Sequence, residues 1–318
     1  MNFPTARALH LVVNGKVSAN AALREAVTRI RSEGVRVSVC VTWEAGDAAR
    51  FACEAGGHDG VTVVAAGGDG TVNEVINGLI DSSPVASFAI VPMGTANDFA
   101  HGAGIPIGKP YDALSLASRG ALYPVDVGTV NDRRFLNVAS GGLGAEATSS
   151  TPRALKATIG PAAYALTALL MSLKGGPHNL RLTCNGETRD FEAAVVAVGN
   201  ATRAGGGVPL TPNARVDDGL LDLLIVPQHE HAEFAGIIHD MLELKHGHTT
   251  RFDYYRLSSF RLDVSHPLQF NLDGEPMHAL SFQFGVLNAA LKMALPASCA
   301  LVQRPSQGSA AIHSEIGG

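Results

Sequence analysis

Cysteine is scarce: the 318 residues hold four, with no C-x-x-C spacing among them. Cys40, Cys53, Cys184 and Cys299 therefore read as reduced thiols, and neither a zinc centre nor a disulfide framework is indicated. Charge is sparse as well, at 17% of residues, and 29 acidic against 24 basic side chains leave a net charge of -5. Binding to phosphate backbones normally shows as a basic surplus, so a nucleic-acid partner is not expected. No uncharged run reaches the ~20 residues that a helix needs to cross a bilayer. The longest, Ala157 to Leu173, contains Gly160-Pro161 and reads as a buried or interfacial helix. The apolar stretch from Ala8 to Val13 is too short for a signal sequence. The expectation is a cytoplasmic protein without an integral membrane segment.

What is present is apolar material, 46% of the chain. That is enough to bury a core, and the length favours about two domains. Up to about Val125, short apolar runs alternate with helix-like segments. Ala8–Val13, Val35–Val41, Val61–Ala65 and Phe88–Val91 read as strands. Ala21–Arg31, Asp47–Glu54 and Thr71–Ile80 read as helices, the first with Leu23, Val27 and Ile30 on one face. Such βα units predict a doubly wound parallel sheet covered on both sides. Beyond this, Asn179–Cys184, Asp190–Val198, Gly219–Val226, Tyr254–Val264 and Leu280–Val286 are strand-like and separated by turns. They predict a mostly antiparallel, sandwich-like β domain, with a helix inserted at Ala232–Leu244. The expected division is 1–128 for an α/β nucleotide-binding domain and 129–303 for the β domain. The Ser-, Gly- and Ala-rich residues 304–318 read as a disordered tail.

The most informative stretch runs from Val61 to Ile80. An apolar strand enters Gly67-Gly68-Asp69-Gly70-Thr71, and a helix follows at once. Glycines there allow close backbone approach, and the helix start offers unpaired N–H groups with partial positive charge, a cradle for phosphate. Open α/β sheets bind ligands at this edge. After the next strand, Pro92-Met93-Gly94-Thr95-Ala96-Asn97-Asp98 sets a second small polar loop beside the first, and the two form a cleft that can hold a nucleotide. No Walker A or G-x-G-x-x-G pattern occurs in this turn. Gly142–Ala147 fits the dinucleotide fingerprint but has no βαβ unit around it, so it carries no weight. His229, His231, His246 and His248 lack metal-binding spacing and read as solvated.

The segments GGDGTVN (67–73), GTANDF (94–99), NARVDDGLLDL (213–223) and NLDGEP (271–276), in this order, resemble the diacylglycerol-kinase catalytic family in its bacterial YegS-type form. The resemblance covers roughly 8–303. It implies an ATP- and Mg2+-dependent lipid kinase, with Gly67, Gly68, Asp69, Gly70, Thr71, Val72, Asn73, Thr42 and Thr95 at the nucleotide. Asn14 is a weaker candidate at the same edge. The base is implied to lie in the pair Asp273 and Glu275, since phosphoryl transfer to an alcohol needs a carboxylate to accept the hydroxyl proton. An ordinary Asp-Gly hairpin turn is the competing reading of that segment. A structural Mg2+ is implied at the Asp218 carboxylate and the carbonyls of Arg215 and Leu220, with a plain β-turn the competing reading, while Asp69 and Asp98 are candidates for the Mg2+ that travels with ATP. Arg203 with Gly205–Gly207 reads as a mobile loop able to touch either ligand. The expected partner is a lipid such as diacylglycerol or phosphatidylglycerol, reached by transient peripheral docking on a membrane; Ala162–Leu173 reads first as a plain core helix and alternatively as part of the acyl-chain route. The alternatives are a kinase for a soluble alcohol such as NAD and a non-catalytic nucleotide- or lipid-binding protein.

Overall fold

Alternation along the first strand divides the core in two. The computed structural model describes residues 6–82, 84–141, 177–227 and 251–303. In chain order the first unit runs β1 (Ala8–Val13), α1 (Ala21–Ser32), β2 (Val37–Val41), α2 (Asp47–Gly56), β3 (Val61–Gly67), α3 (Asp69–Asp81), β4 (Ser87–Pro92), α4 (Asp98–Ala103) and α5 (Pro110–Arg119). The four strands are parallel in the order β2-β1-β3-β4. Leu9, Leu11 and Val13 pack on one side against Leu23, Val27 and Ile30 of α1 and Leu114 of α5. Val12, Val63 and Ala65 pack on the other side against Ala52 of α2 and Val75, Ile76 and Leu79 of α3. The helix starts are marked in the sequence: the Asn20 side chain accepts the Leu23 N–H at 3.0 Å, and Pro110 opens α5.

The second unit holds β5 (Leu122–Val130), β6 (Arg133–Phe135), β7 (Val138–Gly141), β8 (His178–Cys184), β9 (Glu187–Gly199), the short hairpin β10 (Arg203–Ala204) and β11 (Val208–Pro209), β12 (Leu221–Pro227), β13 (Asp253–Leu257), β14 (Ser259–Leu272) and β15 (Glu275–Ala294). Two long strands close it. The first half of β9 pairs with β8 and its second half lies between β7 and β12. The first half of β14 pairs with β8 and its end with β7. Between the layers sit Phe135, Phe260, Phe270, Phe282 and Phe284. Ring centroids are 5.0 Å apart for Phe260–Phe284 and 4.6 Å for Phe270–Phe282. Burying each such ring contributes about 1.5–3 kcal/mol.

One strand joins the units. β15 leaves β14, runs along β5, and at Met293 lies parallel to β4 beside Phe88. Leu291, Met293, Leu295 and Leu301 then complete the core under α2 and α3.

Two expected strands differ from those observed. Tyr254–Val264 is broken at Ser258, because β13 pairs with β12 while β14 pairs with β15. Leu280–Val286 is the middle of the 20-residue β15. The expected helix at Ala232–Leu244, the apolar runs Ala157–Leu173 and Ala162–Leu173, Gly142–Ala147, the four histidines named above and the tail from Arg304 lie outside the described residues. No helix among the described residues is long and apolar enough to cross a membrane.

Candidate active site

The site begins where β3 hands over to α3. Gly68 and Gly94 touch: a Cβ on Gly94 would stand 2.5 Å from the Gly68 Cα, so both loops need glycine there. The Gly67 carbonyl accepts the Met93 N–H at 2.8 Å. The Asn97 carboxamide folds back on Gly94, accepting its N–H at 2.9 Å and donating to its carbonyl at 2.7 Å. No side chain caps α3, so the start of its 13-residue macrodipole opens toward the loops. Asn14 donates from Nδ2 to Thr71 Oγ1 at 2.9 Å, and the Gly15 N–H donates to Thr42 Oγ1 at 3.1 Å. Asn14, Thr42, Gly67–Thr71 and the Gly94–Asp98 loop with the exposed Thr95 thus meet at the C-terminal edge of the parallel sheet. This shallow, glycine-walled cradle fits the phosphates of a nucleotide. Val72 differs from its neighbours: its side chain is core and its N–H already bonds the Gly68 carbonyl.

The two carboxylates of the β14–β15 hairpin separate. Asp273 and Gly274 form its two-residue turn with φ of 51° and 104°. The Asp273 carboxylate turns inward. It accepts the N–H groups of Leu136 at 2.6 Å, Asn137 at 3.0 Å and Val138 at 3.1 Å, and Asn73 Nδ2 at 3.2 Å. Burial pushes its pKa up to about 6, against the opposing pull of those donors. Glu275, by contrast, is exposed and faces the start of α3, with Oε1 3.6 Å from where a Cβ on Gly70 would sit. Glu275 and Gly70 share the rim of a cleft of about 390 Å³ with Gly46, Glu74 and Arg134, a cleft that Asp273 does not line. Sequence reasoning missed Glu74, which takes the Gly46 N–H at 2.5 Å. It also missed Arg133, bonded to the Pro276 carbonyl at 3.1 Å, and Arg134, paired with Asp81 at 2.8 Å. The only signal for these was two arginines after the Asn131-Asp132 turn. Asn73 sits away from the cradle, spanning the Arg134 carbonyl and Asp273.

Two acidic clusters bear on metal binding. Asp69 accepts backbone N–H groups of Asn97 and Asp98, and its pKa is raised, first by burial and then by the charge of Asp98. Asp98 Oδ2 accepts the Gly206 N–H at 2.9 Å, while its buried Oδ1 has no partner. The Arg203–Gly207 loop is therefore docked on the second signature. An orphaned hard oxygen beside a second carboxylate fits a Mg2+ ion. In the implied set at Arg215, Asp218 and Leu220, the carboxylate is already engaged by protein donors. Asp218 Oδ2 is paired with Arg256 Nη2, and Oδ1 accepts the Leu220 N–H at 3.1 Å.

A helix start and an acid facing each other across an open cleft suit transfer of a phosphoryl group to a hydroxyl. The chain is a phosphotransferase of that class. Residues 8–130 match the diacylglycerol kinase catalytic domain, and 137–295 match the YegS C-terminal NAD kinase beta sandwich-like domain. A Chromohalobacter salexigens protein named "probable lipid kinase YegS-like" is 40% identical over 92% of this chain and 94% of its own length. An Escherichia fergusonii protein named "probable lipid kinase YegS" is 38% identical over 92% and 97%. A solved structure from Bacillus anthracis str. Sterne, described as a candidate diacylglycerol kinase, superposes with a TM-score of 0.76 at 26% identity, covering 93% of this chain and 98% of that one. The chain belongs to the diacylglycerol kinase catalytic-domain family, in its YegS-type branch.

Proposed function

We propose that the protein transfers the γ-phosphate of ATP to a hydroxyl of a lipid such as phosphatidylglycerol or diacylglycerol, with Glu275 as the base. The observation that carries this reading is the exposed Glu275 carboxylate facing Gly70 at the uncapped start of α3. Gly67–Thr71, Thr42 and Thr95 hold the nucleotide, the helix start facing its phosphates. Asp69 and Asp98 hold Mg2+, which supplies charge neutralisation on those phosphates. Glu275 accepts the proton of the acceptor hydroxyl, and Arg134 at the cleft rim offers positive charge to an anionic headgroup. Asp273 positions the hairpin by holding the chain at Leu136–Val138.

Residues 1–128 carry the nucleotide and 129–303 present the acceptor, except that Leu291–Val302 return to the first core. The enzyme works in the cytoplasm and docks transiently on a membrane. Support for docking comes from edge strand β2, whose exposed Val39 and Val41 lead to Trp43, 95% exposed beside the cleft rim.

The test is transfer of labelled γ-phosphate from Mg-ATP to diacylglycerol, phosphatidylglycerol and ceramide in mixed micelles, and to soluble NAD. Label in one lipid is expected. Label in NAD alone moves the protein to the soluble-alcohol kinases, and label in none of them with nucleotide still bound overturns the reading.

A further inference from the structure

We infer that Arg256 is a built-in counter-ion that occupies the place where family resemblance implies a structural Mg2+. Three buried aspartates converge between the units: Asp126, Asp218 with its side chain 6% exposed, and Asp222 with 1%. All six of their carboxylate oxygens have protein donors. Asp126 accepts the Gly219 N–H at 2.8 Å and the Ala289 N–H at 2.7 Å. Asp222 accepts Tyr254 Oη at 2.7 Å and Arg256 Nε at 3.1 Å. Asp218 accepts the Leu220 N–H and, on its other oxygen, Arg256 Nη2. One guanidinium thus bridges two carboxylates with its planar fork, a geometry that an ammonium does not reproduce.

The placement is set by backbone register. Arg256 lies directly opposite Asp222 in the antiparallel β12–β13 ladder, and Asp218 sits in the turn just before β12. Buried carboxylates need a counter-charge, and a guanidinium and a hard divalent cation are alternative ways to supply it. They compete here, because a guanidinium seated on the Asp218 carboxylate puts positive charge and bulk where the ion would lie. Of the neighbouring charges, Arg215 donates to the Val302 carbonyl at 3.4 Å, and Asp217 accepts the Gln303 N–H at 2.7 Å on one oxygen while its other, buried oxygen has no partner, so the carboxylate left open to a cation beside this cluster is Asp217 and not Asp218.

The experiment is thermal unfolding of the nucleotide-free full chain in chelator and in millimolar Mg2+, with metal analysis of the purified protein. The wild type is expected to show the same Tm in both conditions and to carry substoichiometric Mg2+. Arg256→Ala is expected to melt several degrees lower in chelator and to regain part of that loss with Mg2+, since its carboxylates are then open to the ion. Arg256→Lys should fall between. A wild type that loses several degrees on chelation, or that retains one Mg2+ per chain, overturns the inference, as does an Arg256→Ala protein that melts low and ignores Mg2+. If that variant does not fold, the wild-type measurements decide alone. The readout is stability and metal content, so failure of the lipid-kinase assay leaves it standing.

Discussion

Asp273 and Glu275 stand two residues apart in one hairpin, yet burial gives them different work. Glu275→Gln keeps the size of a side chain that is exposed and removes its basicity. Transfer is expected to fall roughly a hundred- to ten-thousand-fold with Tm unchanged, measured by initial rates beside a thermal melt. Asp273→Asn should lower Tm, and it should lower transfer only as far as the hairpin bearing Glu275 loosens. An amide offers one acceptor oxygen to a site with three backbone donors, so at least one N–H is left unsatisfied at a cost of about 1–3 kcal/mol. Its pH dependence has a definite sign. The folded pKa of about 6 exceeds the ordinary carboxylate value of 3.8, so the folded state prefers the proton. The contribution of Asp273 to stability is full below pH 3.8 and is lost as pH rises through about 6, on the order of 3 kcal/mol in total. Urea unfolding of wild type and Asp273→Asn between pH 4 and pH 7 checks this: the wild type should lose stability relative to the variant over that window.

At the scale of elements, the site depends on how closely α2 and α3 pack. A Cβ on Gly78 of α3 would overlap the backbone of Ala49 on α2. Alanine is the better helix former by about 1 kcal/mol. Overlap with backbone leaves no flexible atom to give way, so Gly78→Ala is expected to lower stability by about 1–3 kcal/mol. Gly57→Ala is the control: its φ is -76° and nothing lies within 4 Å, so denaturant unfolding should show no loss. The same logic applies to the cradle, where Gly68 and Gly94 let two loops close on each other. The loops were readable because glycine, hydroxyl and carboxamide residues cluster after apolar strands. Strands β5 to β7 were not, because their apolar residues carry no distinctive spacing outside the core that selects them, and α5 went unread although Pro110 and the spacing of Ala113, Leu114 and Ala117 mark it.

For the molecule as a whole, β15 is the strand that joins the β unit to the α/β unit. It carries Glu275 at one end and Met293 in the α/β core at the other. The proposed docking on a membrane has a built-in reporter, since Trp43 is the only tryptophan in the chain. Its emission is expected to shift to the blue on vesicles of phosphatidylglycerol and phosphatidylcholine, because an indole prefers the interfacial zone of a bilayer. Trp43→Ala should weaken vesicle sedimentation while leaving nucleotide binding intact. A blue shift with nucleotide alone and none with vesicles places Trp43 against the base instead.

The sequence by itself determined the elements whose cause is local. Apolar periodicity gave β1–β4 and α1–α3, the glycine turns gave the cradle, and Asp-Gly gave the hairpin that bears the carboxylates. It also carried the family, since four spaced segments hold together over most of the chain. Tertiary structure decided what depends on which strand lies beside which. Only the β12–β13 register sets Arg256 opposite Asp222 and onto Asp218. Only the fold of β7 against β14 buries Asp273 under three N–H groups and leaves Glu275 to the cleft. Burial and pairing are long-range quantities: neighbours some 135 residues apart in the chain fix the charge state of Asp273, and no local pattern encodes them.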